Sequence, residues 1–158
     1  MKNMKKLPLI LLINAIGILT ACNQTHEKIH ADDVLAGCYT VGYHEPAQIK
    51  INHQRSDNHD SYTMQMRIFN NPNQAWDTPT PLELLANDSP EIQQYFDIKS
   101  GESQYLEKVI ARPDRIFVLG KITDGFANLN PQFDSSYLGF IYKGSNTIYK
   151  VACEKNKQ

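Results

Sequence analysis

The alternation in Tyr62-Thr63-Met64-Gln65-Met66-Arg67-Ile68 constrains this chain more than any other feature. Apolar side chains at every second position suit a strand with one face in a core and one in water, and a helix cannot use that spacing. The same period returns in Tyr39, Val41 and Tyr43, and in Ile49 and Ile51. Tyr105 to Ala111 and Arg115 to Ile122 flank Pro113-Asp114, and Tyr137 to Tyr142 and Thr147 to Cys153 flank Lys143-Gly144-Ser145-Asn146, so both read as hairpins. Ile116 to Leu119 is apolar without a break, as in a strand covered on both faces. Gln54 to Asp60 reads as a polar turn between the second and third strands.

The middle of the chain breaks this rhythm. Thr80-Pro81-Leu82-Glu83 offers a capping residue, a proline for the first helical position and an acid to complete a capping box. Ser89-Pro90-Glu91 repeats the signal, and Ile92, Tyr95 and Phe96 follow at helical spacing. The segment is expected to form two short helices, or one interrupted at Pro90. The whole is a mainly β (α+β) domain. We expect an antiparallel sheet of about seven strands curled into a partial barrel or sandwich, with a short helical insertion.

The chain begins with Lys2, Lys5 and Lys6, continues through an apolar run from Leu7 to Leu19, and closes it with Leu19-Thr20-Ala21-Cys22. A positive start, a short greasy segment and small residues before a cut describe a secretory signal, and the run is too short for a membrane span. Leu19-Thr20-Ala21-Cys22 resembles the lipobox of bacterial lipoproteins. The resemblance implies a thioether-linked diacylglycerol on Cys22, removal of residues 1–21, and acylation of the freed amine. Several acyl chains make a stable anchor where one does not. In the Gram-negative lipoproteins that this segment resembles, an aspartate after the cysteine favours the inner membrane, so Asn23 leads us to expect the outer membrane, facing the periplasm or the cell surface. Residues 22–33 then form a lipidated tether, and 34–158 a single β-rich domain. Removing the signal takes away three lysines and no acid, which moves the formal net charge from −1 to −4. That mildly acidic balance gives no basis for nucleic-acid binding.

With Cys22 acylated, Cys38 and Cys153 remain. In an oxidising compartment an even pair is expected to be a disulfide, here joining the start of the domain to its end. Cys38 shares the parity of Thr40 rather than of Tyr39 and Val41, which places the bridge at a rim or edge.

The candidates for chemistry are few. His53, Asp57, His59 and Asp60 crowd one turn and could hold a metal, but their spacing fits no zinc motif and a solvated hairpin tip is preferred. His26 and His30 fall in the tether. There is no Gly-x-Ser-x-Gly and no glycine-rich phosphate loop, so nothing calls for a cofactor or a nucleophile elbow. A hydrolase would need a cleft in which a histidine or a carboxylate pair converges, with His44 or His53 placed in it. Trp76, the single tryptophan, stands in a polar, proline-rich stretch, where it is an interface anchor or a lid. Phe126, Leu129 and Phe133 are spread through Asp124 to Ser136, a segment that either folds back or presents a contact surface.

Val34-Leu35-Ala36-Gly37-Cys38-Tyr39 resembles the opening of lipocalin-type barrels, which place Gly-x-Trp on the first strand; Tyr39 stands in the tryptophan's place. The resemblance implies a small apolar ligand inside the sheet. If the sheet closes, Tyr39, Tyr62, Tyr137 and Tyr149 either line such a cavity or are ordinary barrel core. The leading expectation is nevertheless a lipid-anchored, non-catalytic module that binds a protein partner through Trp76, Phe126, Leu129 and Phe133. An inhibitor, an immunity-like factor or an assembly accessory would all fit. An apolar-ligand carrier comes second and an envelope hydrolase third.

Overall fold

A computed structural model describes residues 33–56, 59–67 and 75–153. Cys22, His26, His30, Asp57 and Ile68 lie outside these residues. Among the described residues, eight strands follow one another in chain order as an antiparallel meander. They are β1 (Gly37–Thr40), β2 (Ile49–Ser56), β3 (His59–Met66), β4 (Thr80–Leu85), β5 (Leu106–Ala111), β6 (Phe117–Ile122), β7 (Tyr137–Ile141) and β8 (Gly144–Val151). β1 pairs with β8 through Cys38↔Val151, Tyr39↔Lys150 and Thr40↔Tyr149, which closes the sheet into a barrel. This is the up-and-down class to which lipocalin-type barrels belong, and architecture alone assigns no activity.

The eighth strand is β4, which the capping signals at Thr80 to Glu83 led us to expect as a helix. Its first half pairs with β3 (Met64↔Thr80, Tyr62↔Leu82) and its second half with β5 (Glu83↔Ala111, Leu85↔Val109). Two ladders outweigh a local preference worth at most a few tenths of a kcal/mol per residue. The second signal holds: α1 (Pro90–Phe96) starts with Pro90 in its first turn and ends at Asp97 in the left-handed region. Asp124 to Ser136 folds back as α2 (Asp124–Leu129) and a return segment.

The hairpin tips also differ from expectation. The β2–β3 ladder continues to Ser56↔His59, so Gln54 to Asp60 is mostly strand. The β7–β8 turn is Tyr142-Lys143, with Ile141 opposite Gly144 and Tyr142 at φ 60°.

Alternation divides the apolar residues between two cores. Tyr39, Ile49, Ile51, Tyr62, Ile110, Leu119 and Ile148 point inward and fill the barrel together with Leu35, which plugs one mouth. An eight-stranded barrel has an interior of about the size that side chains can occupy. The outer faces of β5, β6 and β7 form the second core, where Val109, Val118, Ile122 and Leu138 meet Ile92 and Phe96 of α1 and Phe126 of α2. Phe117, Val118 and Leu119 are therefore all buried, as the unbroken apolar run predicts. A side chain at Gly120 would meet the Phe96 ring at 2.9 Å, so its absence lets α1 sit against the wall. Gly139 serves the interior in the same way. A Cβ there would stand 2.3 Å from Ile148 Cγ1. Gly139→Ala should cost about 1–3 kcal/mol through overpacking, seen as a lower denaturant midpoint at unchanged slope.

Candidate functional site

Successive strands run in opposite directions, so the β2–β3, β4–β5 and β6–β7 connections share one end of the barrel with the chain's arrival at Asp33. Two features gather there. One is a groove on the outer wall, and the other is a polar cluster in the mouth.

The groove measures about 480 Å³ and opens between the segment after α1, the segment around α2, and the edge of β7 and β8. Phe96, Ile98, Phe126 and Leu138 form a buried apolar floor, while Lys99, Glu102, Asn130, Asn146 and Thr147 supply a polar rim. Phe126 and Phe133 meet edge to face with ring centroids 5.7 Å apart, an arrangement that fixes both rings. Leu129 projects beside them with 52% of its surface exposed, a large apolar side chain without a cover. Three of the four expected binding residues thus line one cavity. Phe126 contributes as floor rather than as an exposed anchor, because packing against the barrel wall takes it out of water.

Trp76 is not part of that lining. It is half-buried in the connection between β3 and β4, at the opposite end of the barrel, with the Arg67 guanidinium 4.6 Å from its ring centroid. The buried Arg67 side chain also donates to the Ala47 carbonyl. This suits the lid role weighed for Trp76 and separates it from the groove.

The mouth holds a cluster that the sequence reading did not assemble. The Asp33 carboxylate accepts from the Tyr62 hydroxyl at 2.6 Å, from Lys108 Nζ at 3.0 Å, and from the Leu35 and Ala36 N–H groups at 2.9 and 3.1 Å. Lys108 also donates to the Tyr62 hydroxyl. Burial pushes the Asp33 carboxyl up, but these donors outweigh it and hold the group below the usual carboxylate value. The Tyr62 and Tyr39 phenols are both raised, first by burial; beside Tyr62 the Asp33 carboxylate adds to this.

His53 corrects the expectation of a solvated tip. It continues the inward parity of Ile49 and Ile51, is 2% exposed, and stacks on the Tyr62 ring at 4.7 Å. Its Nε2 lies 3.1 Å from Asp60 Oδ1 and its Nδ1 3.8 Å from Asp33 Oδ2, yet neither nitrogen makes a well-aligned hydrogen bond. His59 is exposed, and Asp60 is also held by Arg55 at 3.0 Å. No group of three or more His, Cys, Asp or Glu side chains among the described residues is placed to hold a metal. His53 does meet two carboxylates, but behind the barrel wall rather than in a cleft. His44 lies on the exterior against the Tyr43 ring. Tyr149 also faces outward, bonded to Asp134 at 3.1 Å, so it does not join Tyr39, Tyr62 and Tyr137 inside.

Cys38 and Cys153 form a disulfide with Cα atoms 5.2 Å apart. Cys38 is buried on the outer side of β1 and Cys153 is exposed just beyond β8, so the bridge lies at the rim of the seam, where parity placed it. No protein-family model, curated protein or solved structure matches the chain.

Proposed function

We propose that this chain is a lipid-anchored, non-catalytic binding module of the bacterial outer membrane, and that it takes an apolar segment of a partner protein into the groove beside α2. The observation that carries the reading is the convergence of Phe126, Leu129 and Phe133. A buried aromatic floor, an exposed apolar side chain above it and a polar rim are the anatomy of a protein contact, in which a few desolvated anchors supply most of the affinity. A photo-reactive residue at position 129 should capture a discrete partner in intact cells, and one at Leu84, exposed elsewhere on the barrel, should not. Phe133→Ala should reduce that adduct at least tenfold while Trp76→Ala leaves it unchanged. Equal capture from both positions would remove the groove from the account.

An apolar-ligand carrier remains the second reading because the groove volume falls inside the roughly 300–1,000 Å³ typical of small-molecule sites. The ligand would then lie outside the barrel, since Tyr39, Tyr62 and Tyr137 with their apolar neighbours occupy the interior. Removing Phe133 would weaken a fluorescent fatty-acid probe as well as the protein adduct in that case.

A further inference from the structure

We propose that the mouth of the barrel seats the phosphate of an anionic lipid headgroup between Lys121 and Lys150. This rests on the lipid-anchor reading for the direction in which the mouth faces. Inward positions of a small barrel are ordinarily apolar. In the last layer of this one, Lys108, Lys121 and Lys150 continue the inward parity of Ile110, Leu119 and Ile148. Lys108 is neutralised by Asp33. Lys121 and Lys150 are not: among the described residues neither has a carboxylate within ion-pair reach, and their ammonium groups donate only to the Ile122 and Val34 carbonyls.

Both ammonium groups also attend one ring. Lys121 Nζ lies 5.6 Å and Lys150 Nζ 5.7 Å from the centre of Tyr137. Burial lowers the proton affinity of Lys150; the field of the Asp33 carboxylate works against that, and the neighbouring charge of Lys121 offsets part of the carboxylate's help. An anion between them would relieve that repulsion and gain two charge-assisted hydrogen bonds.

The location names the anion. The mouth is the end at which the chain arrives at Asp33, eleven residue steps after Cys22. Fully extended, eleven steps span about 36–40 Å, so an acylated Cys22 holds this end of the barrel within reach of the bilayer surface. Basic side chains near an anionic surface each strengthen binding by about fivefold. A second attachment of this kind would fix the orientation of the barrel and leave the groove beside α2 open at the flank.

The test uses the full chain reconstituted with vesicles of phosphatidylcholine alone or with phosphatidylglycerol added, and reads lysine acetylation by mass spectrometry. Lys121 and Lys150 should be modified at least tenfold more slowly on anionic vesicles. Lys50, which faces outward, and Lys143, at the far end, should not change. The Lys121→Gln/Lys150→Gln variant should lose about thirtyfold of the preference for anionic over neutral vesicles. Equal modification on both vesicle types, or protection of all four lysines alike, overturns the proposal. Equal protection by inorganic phosphate without vesicles assigns the seat to a free anion and overturns the headgroup. Palmitate labelling of Cys22 is read separately: a chain that takes no label and still shows the two-lysine footprint upholds the seat and sinks the anchor.

Discussion

Opening the Cys38–Cys153 bridge, by reduction or by Cys153→Ser, should destabilise the barrel by about 2–5 kcal/mol. The bond spans 115 residues, and chain entropy alone gives about 5 kcal/mol for a loop of that size. Its position adds a second reason. The seam between β1 and β8 has three residue pairs, against eight between β2 and β3, so the covalent link reinforces one of the short ladders of the barrel, and the one that closes it. Without it β1 should fray from β8, and amide exchange at Tyr39 and Thr40 should accelerate while that of β5 and β6 stays slow. Denaturant unfolding with and without reductant measures the first effect. Coincident curves would show that the seam holds without its bond.

The second large effect is expected at Asp33. Its side chain is 5% exposed and accepts from Tyr62, Lys108, Leu35 and Ala36. Asp33→Ala strands a half-buried ammonium and removes the bonds that hold the plug at Leu35, and should cost about 3 kcal/mol. The same group sets an acid limb. Its folded pKa lies below its unfolded value, so its contribution is complete above the unfolded value of about 3.9 and disappears as pH falls through the folded one. The stability gap between wild type and Asp33→Asn should therefore be widest near neutrality and close as pH falls below about 4. Asp60 and Asp114 shift in the same direction through Arg55 and Arg112, but they are exposed pairs that solvent screens, so their share is small. A gap that stays constant down to pH 2 would remove the network from the acid response.

Much of the barrel was legible because period two is a direct statement about faces. Tyr62, Met64 and Met66 alternate in the sequence and in the wall, and the parity of Cys38 already put the bridge outside the core. β4 was not legible. Pro81 and Glu83 make a good helix start in isolation, and only pairing with β3 and β5, which no local pattern reports, decides otherwise. His53 was misjudged for a different reason. Its polarity suggested a turn, although its parity with Ile49 and Ile51 pointed inward. The parity was the better guide, because polar residues are accepted inside when charged neighbours surround them. Phe126, Leu129 and Phe133 were found as a group, but their groove depends on α1 and on β8, elements distant in sequence. Asp33, Lys108, Lys121 and Lys150 are scattered likewise. Each looks like an ordinary surface charge until the closed sheet turns its side chain toward the common axis.

The one joint between the ends of the chain has a consequence for how the protein is made. Every other strand neighbour is also the next strand along, so most of the wall can zip up by local contacts. The exception waits for β8. A chain that emerges amino-terminus first keeps β1 without its second neighbour, and Cys38 without its partner, until β8 and Cys153 appear. Closure is then the late step of folding, and an oxidant that acts on the nascent chain too early finds Cys38 with nothing correct to join.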